Sequence, residues 1–404
     1  MRAWVFFFFF SASFLMAQSE ADYITAISIT GLKRTRLSTA EQPLRKFIGL
    51  PADQVDSDEV LAAVMAGGVL EPVSVEIQGH VLSVAVREKW SIFPVPVFFA
   101  GSGGIMAGLA FFDANAFGIS DKFFLAGIYQ SDGWVATTGY IHGSPGGWVP
   151  GLNGIFIFSR EERQDRDQHN RLVRRFELDS SSVFAGLNFP LLGNSDLLTA
   201  SAQFSFDQKN LREREKAMNG PDEDLRLFGA GAEISLKKNT WDGFLLSQES
   251  ASVAFSHKTT LDGFSFQSIS FRGTWEKSLV PGFRFNLRSG LLYEPEAPVL
   301  FESSPYAAQV AILPMDFSAR NYAGVSAGFE KYVLKIPVGT FSFALSYQLV
   351  FSHSPLLGDS VDHGITGMIT FYLNRLAIPA LGFGAAYNAK EDYLQGSFSL
   401  GMSF

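Results

Sequence analysis

A period-two alternation of apolar and small polar residues is the feature that most limits how this chain can fold. It is clearest between Leu394 and Phe404, where one set of alternate positions is apolar or glycine: Gly396, Phe398, Leu400, Met402 and Phe404. Successive side chains of an extended strand point to opposite sides, so this period predicts a strand with one apolar face. The pattern recurs from Trp90 onward without a matching set of helices. It predicts an antiparallel transmembrane β-barrel with lipid outside and polar side chains in the lumen.

The composition agrees with a barrel and excludes several classes of function. The 404 residues include 40 phenylalanines and 38 glycines, and only 18% of them are charged, a balance that suits curved strands with aromatic girdles. The net charge of −8 argues against nucleic acid as a partner. The chain has no cysteine, which removes disulfides, thiolate nucleophiles and cysteine-ligated metals.

The first seventeen residues predict a secretory signal peptide, domain 1–17. Arg2 supplies the positive start, Trp4 to Met16 the apolar stretch, and Leu15-Met16-Ala17 a cleavage site. The alternative is a signal anchor, but the apolar run is short for a bilayer span. No later stretch has the eighteen or so uninterrupted apolar residues of a helical span. Export followed by alternating strands predicts location in a cell outer membrane.

Residues 23–89 predict one small α+β domain. An alternating strand at 24–30 is followed by helix candidates at 37–48 and 57–65. Two more alternating strands, at 73–77 and 81–86, flank a turn at Gly79. The order β-α-α-β-β is compact enough for a single domain.

Residues 90–404 predict a barrel of about sixteen strands, within the range of such barrels. The strand candidates are residues 95–100, 105–112, 122–130, 134–142, 151–160, 176–189, 198–207, 225–236, 246–257, 264–275, 283–293, 322–334, 341–351, 364–373, 381–387 and 394–404. The charged runs 161–175 and 209–224 predict extracellular loops, because they cannot lie in lipid. A shift of apolar parity between Phe266 and Ile269 predicts a bulge.

Two stretches of the small domain resemble a known module. Ile29-Thr-Gly-Leu-Lys-Arg-Thr near its start and Val81-Leu-Ser-Val-Ala-Val-Arg-Glu-Lys at its end resemble a POTRA domain. POTRA domains are the periplasmic modules of the BamA/TamA family of outer-membrane insertases and translocases. The resemblance implies a periplasmic domain whose edge strands receive client chains by strand addition. The alternative is a spacer that positions the barrel.

The segment before the last five strand candidates carries a second resemblance. Ala319-Arg320-Asn321-Tyr322 stands where the family has Val-Arg-Gly-Phe/Tyr, in a long sixth loop that folds back inside the barrel. The resemblance implies that Arg320 lies in the lumen with Glu330, on the inward parity of the next strand, as its partner. Two departures are that Asn321 replaces the family glycine and that Ser346 stands where the following strand has an aspartate. The alternative for Arg320 is an exposed loop arginine.

The resemblance also implies a function. Family members open a weak seam between the first and last strands, which here would involve Val95, Val97, Phe99, Phe398, Leu400, Met402 and Phe404. The implied partners are the outer-membrane bilayer and unfolded client proteins, with periplasmic or lipoprotein partners as further candidates at the POTRA domain. Insertion and secretion both stay open.

Two other classes of protein are alternatives. One is a passive pore or structural outer-membrane protein without insertase activity. The other is an outer-membrane enzyme, for which no Gly-x-Ser-x-Gly elbow or comparable pair of catalytic residues appears. Acid pairs such as Glu161-Glu162 match no metal-ligand spacing. We therefore expect no enzyme activity, no cofactor and no metal site.

Overall fold

The computed structural model describes residues 23–65, 69–101, 104–143, 150–192, 195–242, 245–314, 316–373 and 379–400. The predicted signal peptide, and Met402 and Phe404 of the predicted last strand, lie outside these residues. The chain divides into two compact units, the first ending at Trp90 and including the turn Phe117–Ile119. Within the described ranges, no helix is long and apolar enough to cross a membrane.

The first unit contains a three-stranded sheet covered by short helices. Its elements are β1 (Ala26–Thr30), α1 (Leu37–Glu41), 3₁₀ turns at Gln42–Phe47 and Ala52–Gln54, α2 (Ser57–Met65), β2 (Leu70–Gln78) and β3 (Val81–Glu88). The strand order is β1-β3-β2, with β1 parallel and β2 antiparallel to β3. Ile24, Leu44, Val60 and Leu82 are fully buried between the two layers.

The helix predicted at 37–48 is shorter than expected. The α-helix ends at Glu41, and the chain continues as a 3₁₀ turn through Pro43. Proline has no N–H to donate and clashes with the preceding turn, so the regular α-helical ladder stops before it.

Glu88 ties the end of β3 to the loop after β1. Its carboxylate accepts hydrogen bonds from the backbone N–H groups of Lys33, Arg34 and Thr35, at 2.8, 2.9 and 2.7 Å. Partial burial opposes ionisation, but the hydrogen bonds outweigh it and hold the pKa of Glu88 below its ordinary value. The negative charge of Glu88 therefore stabilises this loop.

The second unit is a closed antiparallel barrel of sixteen strands over the described residues, which confirms the predicted fold class. The strands are β4 (Ile92–Gly101), β5 (Gly104–Ala116), β6 (Asp121–Gln130), β7 (Gly133–His142), β8 (Gly151–Arg166), β9 (Leu172–Leu192), β10 (Ser195–Arg212), β11 (Leu225–Asp242), β12 (Leu245–Thr260), β13 (Ser265–Val280), β14 (Phe283–Tyr293), β15 (Asn321–Ile336), β16 (Gly339–Ser354), β17 (Gly358–Leu373), β18 (Pro379–Asn388) and β19 (Tyr393–Leu400). Each overlaps one predicted strand, because alternation marks strands that separate lipid from a lumen.

Strand β16 shows this separation clearly. Alternate apolar side chains are exposed on the outer surface, namely Phe343, Leu345, Tyr347, Leu349 and Phe351. The intervening Ser342, Gln348 and Ser352 are buried on the lumen side. Exposing an apolar face on many strands to water is unfavourable. Such a face matches the lipid-facing belt of transmembrane barrels.

The charged run 161–175 is wrong as a loop prediction over most of its length, whereas the run 209–224 is a loop from residue 213 onward. Strands β8 and β9 continue through 161–166 and 172–175, leaving only 167–171 as the turn, and β10 continues to Arg212. The charges pair across the extended hairpin, as in Arg160–Asp179 at 2.7 Å and Arg175–Glu162. Beyond the lipid layer a strand can carry such charges, since water solvates its edges.

The bulge predicted near Phe266 is also wrong. Strand β13 keeps an unbroken register with β12 from Ser265 to Glu276. Phe266 points into the barrel, where it is 2% exposed and packs on Leu227 and Ala297, with its ring 5.9 Å from that of Phe301. The alternation of apolar residues shifts here because Phe266 faces apolar residues of the 294–320 connection inside the barrel and not water.

Candidate functional site

The lumen contains the long connection between β14 and β15, residues 294–320, which we call the sixth loop. Its most buried side chains are Leu300, Ala308, Ile312, Leu313 and Phe317. They pack on inward residues of the wall, with Leu292, Tyr322 and Val350 in one cluster and Phe176 and Leu178 in another. The loop therefore has its own apolar core inside the barrel.

A pair of wall glycines gives the loop room. Gly290 of β14 and Gly324 of β15 are register partners and lie beneath the loop turn Pro305–Ala308. A Cβ placed on Gly290 would lie 2.7 Å from the carbonyl oxygen of Ala307, and one on Gly324 would lie 2.6 Å from that of Ala308. Both distances are too short for any side chain, so the close approach of loop and wall requires glycine.

Four charged residues fasten the loop to the β8–β9 hairpin, and we call Arg163, Asp165, Arg174 and Glu302 the loop anchor. Glu302 of the loop has a fully buried side chain, and one of its carboxylate oxygens lies 2.7 Å from Nη1 of Arg174. The same Nη1 lies 2.8 Å from Asp165. Arg163 donates to Asp165 at 2.9 Å and to the Glu302 carbonyl at 3.1 Å. Removing one member would leave the buried charges of the others with fewer partners, which is unfavourable away from water.

The structure does not bring Arg320 and Glu330 together, and the predicted pair is therefore corrected. Arg320 donates to the Pro295 carbonyl at 3.2 Å, and its Nε lies 3.5 Å from Glu302. It directly precedes β15, whereas Glu330 lies well along that strand. At roughly 3.3 Å per residue the two are separated by about 30 Å of strand, far beyond the reach of an arginine.

Glu330 belongs instead to a cluster on the barrel wall. One carboxylate oxygen lies 2.5 Å from Arg284, its register partner on β14, and the other accepts from Ser342 and Tyr372 at 2.5 and 3.0 Å. Arg284 also binds Glu276 at 2.6 Å. Arg284 and Glu330 share the inward parity of their strands, but sequence alone does not give the register that makes them neighbours.

The three residues that flank Arg320 in its motif, Ala319, Asn321 and Tyr322, connect the two ends of the sixth loop. Ala319 is fully buried and exchanges backbone hydrogen bonds with Ser303 at 3.0 and 3.1 Å. Tyr322 donates to the Ser303 carbonyl at 2.8 Å, and the Asn321 side chain accepts from the Glu294 N–H at 2.8 Å. The motif therefore closes the loop on itself where it enters and leaves the barrel wall.

The far side of the loop reaches the last strand. Gln395 of β19 donates from its side chain to the carbonyls of Leu313, at 2.9 Å, and of Ala311. The Ala311 N–H in turn donates to Gln348 of β16 at 2.8 Å. The loop thus crosses the lumen from the β8–β9 hairpin to β19.

The barrel closes where β4 meets β19, and we call this contact the seam. Over the described residues the register runs from Phe98 opposite Leu400 to Gly101 opposite Ser397. Strands β4 and β19 are therefore neighbours that close the barrel within the described residues.

The seam residues divide between the two faces. Phe98, Ala100 and Phe398 face outward, and the Phe398 ring lies 5.8 Å from that of Phe98. Val95, Val97 and Phe99 occupy the other parity of β4 and face the lumen with Met106. Met402 and Phe404 lie beyond the described residues.

Beside the seam the lumen contains a cavity of about 900 Å³. Its lining includes Phe99 of β4 and Ser397 of β19, and the opposite side carries Arg284, Arg288 and Glu330. The cavity is bounded by the sixth loop through Gln309 and Leu313. A cavity lined by both apolar and charged side chains therefore lies directly inside the contact that closes the barrel.

Burial also changes the acidity of loop groups. It raises the pKa of the Asp316 carboxyl, although Arg166, at 3.7 Å, opposes the shift. Burial likewise raises the pKa of Glu294.

No group of three or more His, Asp and Glu side chains within the described part of the chain could hold a metal ion.

These observations define a class of protein: a transmembrane-type barrel with a lumen occupied by its own sixth loop and a seam between its first and last described strands. Comparison with solved structures agrees. BamA from Haemophilus ducreyi lacking POTRA domains 1–3 matches with a TM-score of 0.63 and 14% identity, over 95% of this chain and 84% of that one. CdiB from Escherichia coli matches with a TM-score of 0.66 and 12% identity, over 95% and 77%.

CdiB from Acinetobacter baumannii gives a similar result, with a TM-score of 0.62, 12% identity, and coverage of 95% and 74%. The likeness shows that this chain has the fold of the BamA and CdiB barrels. No protein-family model matches the chain, and no curated protein matches its sequence.

Proposed function

We propose that the protein is an outer-membrane insertase or translocase that opens its seam to an extended client strand. The contact of β4 with β19, with a cavity directly inside it and Gln395 of β19 bonded to the sixth loop, is the observation that carries the proposal. An opened barrel edge exposes backbone N–H and C=O groups to lipid, where nothing else can satisfy them. A client strand that pairs with the edge satisfies those groups and is itself brought into the membrane.

The proposal includes a place for each part of the chain. Residues 1–17 act as a signal peptide, residues 90–404 form the outer-membrane barrel, and residues 23–89 form a POTRA domain in the periplasm. The three-stranded sheet supports a receiving role for that domain, because β1 and β2 are its edge strands. Edge strands offer the backbone groups on which a client, or a periplasmic or lipoprotein partner, could add a strand.

The sixth loop links the lumen to the seam in this account. The loop anchor fixes one side of the loop to the β8–β9 hairpin, and Gln395 ties the other side to β19. A movement of β19 at the seam would therefore be transmitted to the sixth loop. The loop also narrows the lumen and so restricts free diffusion through it. The cavity beside the seam supplies space for the inward-facing side chains of a client strand, with Arg284, Arg288 and Glu330 on its opposite side.

A second candidate is a passive or structural barrel without insertase activity. Its support is the missing Arg320–Glu330 pair, since Glu330 is already satisfied by Arg284, Ser342 and Tyr372. An inert barrel of this kind would retain the scaffold but not the ionic contact that the resemblance implies. It should give steady single-channel conductance, or none, with no dependence on client protein.

In-cell photocrosslinking with identification of the trapped chains tests the proposal. A photoreactive phenylalanine analogue is placed at Phe98 or Phe398, on the two sides of the seam. Phe255 of β12, a phenylalanine exposed on the outer face away from the seam, serves as the control. We expect unfolded barrel or secreted proteins to be trapped from the two seam sites and not from Phe255. Equal yields from all three sites would contradict a lateral seam.

A further inference from the structure

Two prolines stand at alternate positions of the first barrel strand. Pro94 and Pro96 both lie within β4, and both are exposed on the outer surface. Proline has no backbone N–H and cannot donate to a neighbouring strand. The backbone groups of alternate residues point to the same neighbour, so the two missing donors fall on one side of β4.

Hydrogen bonds at the turn after β6 show which side that is. The Ser131 N–H donates to the Ile105 carbonyl at 2.9 Å, and the Ile105 N–H donates to the Ser131 hydroxyl at 2.6 Å. The backbone of Ile105 in β5 therefore points away from β4, and that of Met106 points toward it. Met106 is the register partner of Phe99, so Phe99 directs its backbone groups to β5.

Hydrogen bonding at the other end of the β4–β5 pair gives the same assignment of backbone direction. The Ala114 N–H donates to the Ser91 carbonyl at 2.8 Å, and no register shift interrupts β4 and β5 between these points. Odd-numbered residues of β4 therefore bond to β5. Even-numbered residues, including Pro94 and Pro96, direct their backbone toward β19.

The two sides of the seam consequently differ in what they offer. Among the described pairs, Phe98 with Leu400 and Ala100 with Phe398 can exchange backbone hydrogen bonds. On the N-terminal side of Phe98, Pro96 and Pro94 direct their backbone carbonyls toward the seam. Neither has the backbone N–H that another residue would offer there. Strand β19 contains no proline from Tyr393 to Leu400, so every residue there retains its N–H.

We propose that a client strand is received on the β19 side of the seam, because Pro94 and Pro96 make the N-terminal part of β4 a poor template. The inference rests on the proposed function and specifies which edge performs it. The occupant is an extended strand of alternating apolar and polar residues. When the seam opens, the prolines also leave two fewer unsatisfied N–H groups facing lipid, which makes opening less costly.

The test uses the full chain in lipid vesicles and, as probe, a synthetic peptide with the sequence of residues 341–351 of β16, whose own neighbours are β15 and β17 and not the seam strands. That peptide has the period-two alternation expected of a client strand. A photoreactive phenylalanine analogue at Phe398 reports capture on β19, and the same analogue at Phe98 reports capture on β4. Both side chains face outward and both are half-buried, so the two sites are comparable. We expect several-fold more peptide adduct from Phe398 than from Phe98.

The double variant Pro94→Val/Pro96→Val then restores two donors to β4. It should raise the adduct from Phe98 until it matches that from Phe398. Pro190→Val in β9, away from the seam, is the control and should leave the ratio unchanged. An unchanged ratio in the double variant would overturn the role of the prolines.

Failure of this inference and failure of the proposed function give different results. Equal or greater adduct from Phe98 in the unaltered chain would overturn the choice of edge while leaving strand capture intact. No adduct from either site would overturn the proposed function, and this inference with it.

Discussion

Replacing Arg174 by methionine, or Glu302 by glutamine, should strongly destabilise the barrel. The two side chains are 4% and 0% exposed, and they meet at 2.7 Å. Deleting one member of such a buried pair typically costs up to about 3–5 kcal/mol, and here the remaining charge keeps one other ionic partner among the described residues, Asp165 for Arg174 and Arg320 for Glu302. The double variant removes both charges, so it should be substantially less damaging than the sum of the single changes.

The assay is a double-mutant cycle on urea unfolding of the barrel in lipid vesicles, followed by tryptophan fluorescence and by the heat-dependent gel shift of the folded form. The Arg160–Asp179 pair, on the same hairpin but 49% and 24% exposed, is the control. Its cycle should give a coupling of at most about 1 kcal/mol. Strict additivity of the Arg174 and Glu302 changes would refute the loop anchor.

Three further predictions concern the loop, the lipid face and the small domain. Gly324→Leu should expose the sixth loop to added protease, because no side chain fits between Gly324 and Ala308, whereas Gly367→Leu, with open space around its Cβ position, should not. Phe398→Arg should lower the unfolding free energy by about 2–4 kcal/mol near the bilayer midplane, and Ser397→Arg, which faces the cavity, by much less; equal losses would contradict the facing. Because the pKa of Glu88 is lowered on folding, the stability that its charge contributes is present above about pH 4.5 and is lost as the pH falls. Amide exchange, corrected for its intrinsic pH dependence, should therefore speed up at Lys33 to Thr35 in acid, and Glu88→Ala should remove that response.

The barrel strands could be predicted because their signal is local. In β16 each exposed apolar residue is followed by a buried or small one, and this alternation needs no knowledge of the neighbouring strand. The predictions at 161–175 and at Phe266 were wrong because both depend on partners distant in sequence. Charges that usually mark a loop are paired across a hairpin in one case. In the other, an inward phenylalanine is covered by the sixth loop.

The candidate site was predictable in position and not in its contacts. The motif around Arg320 indicated where the sixth loop joins the wall. The loop anchor, however, joins Arg174 to Glu302 across 128 residues of chain, and no spacing rule marks such a pair. The contact between Arg284 and Glu330 depends on strand register, which parity alone leaves undetermined.

The central claim, that the seam between β4 and β19 opens, is tested most directly by locking it. The native chain has no cysteine, so Ala100→Cys/Phe398→Cys introduces a single disulfide across register partners. Phe383→Cys/Phe398→Cys, across the neighbouring β18–β19 pair, is the matched control. We predict that oxidation of the seam pair abolishes client insertion into vesicles, that reduction restores it, and that the control pair has no effect. Full insertion activity with the seam disulfide formed would contradict the account.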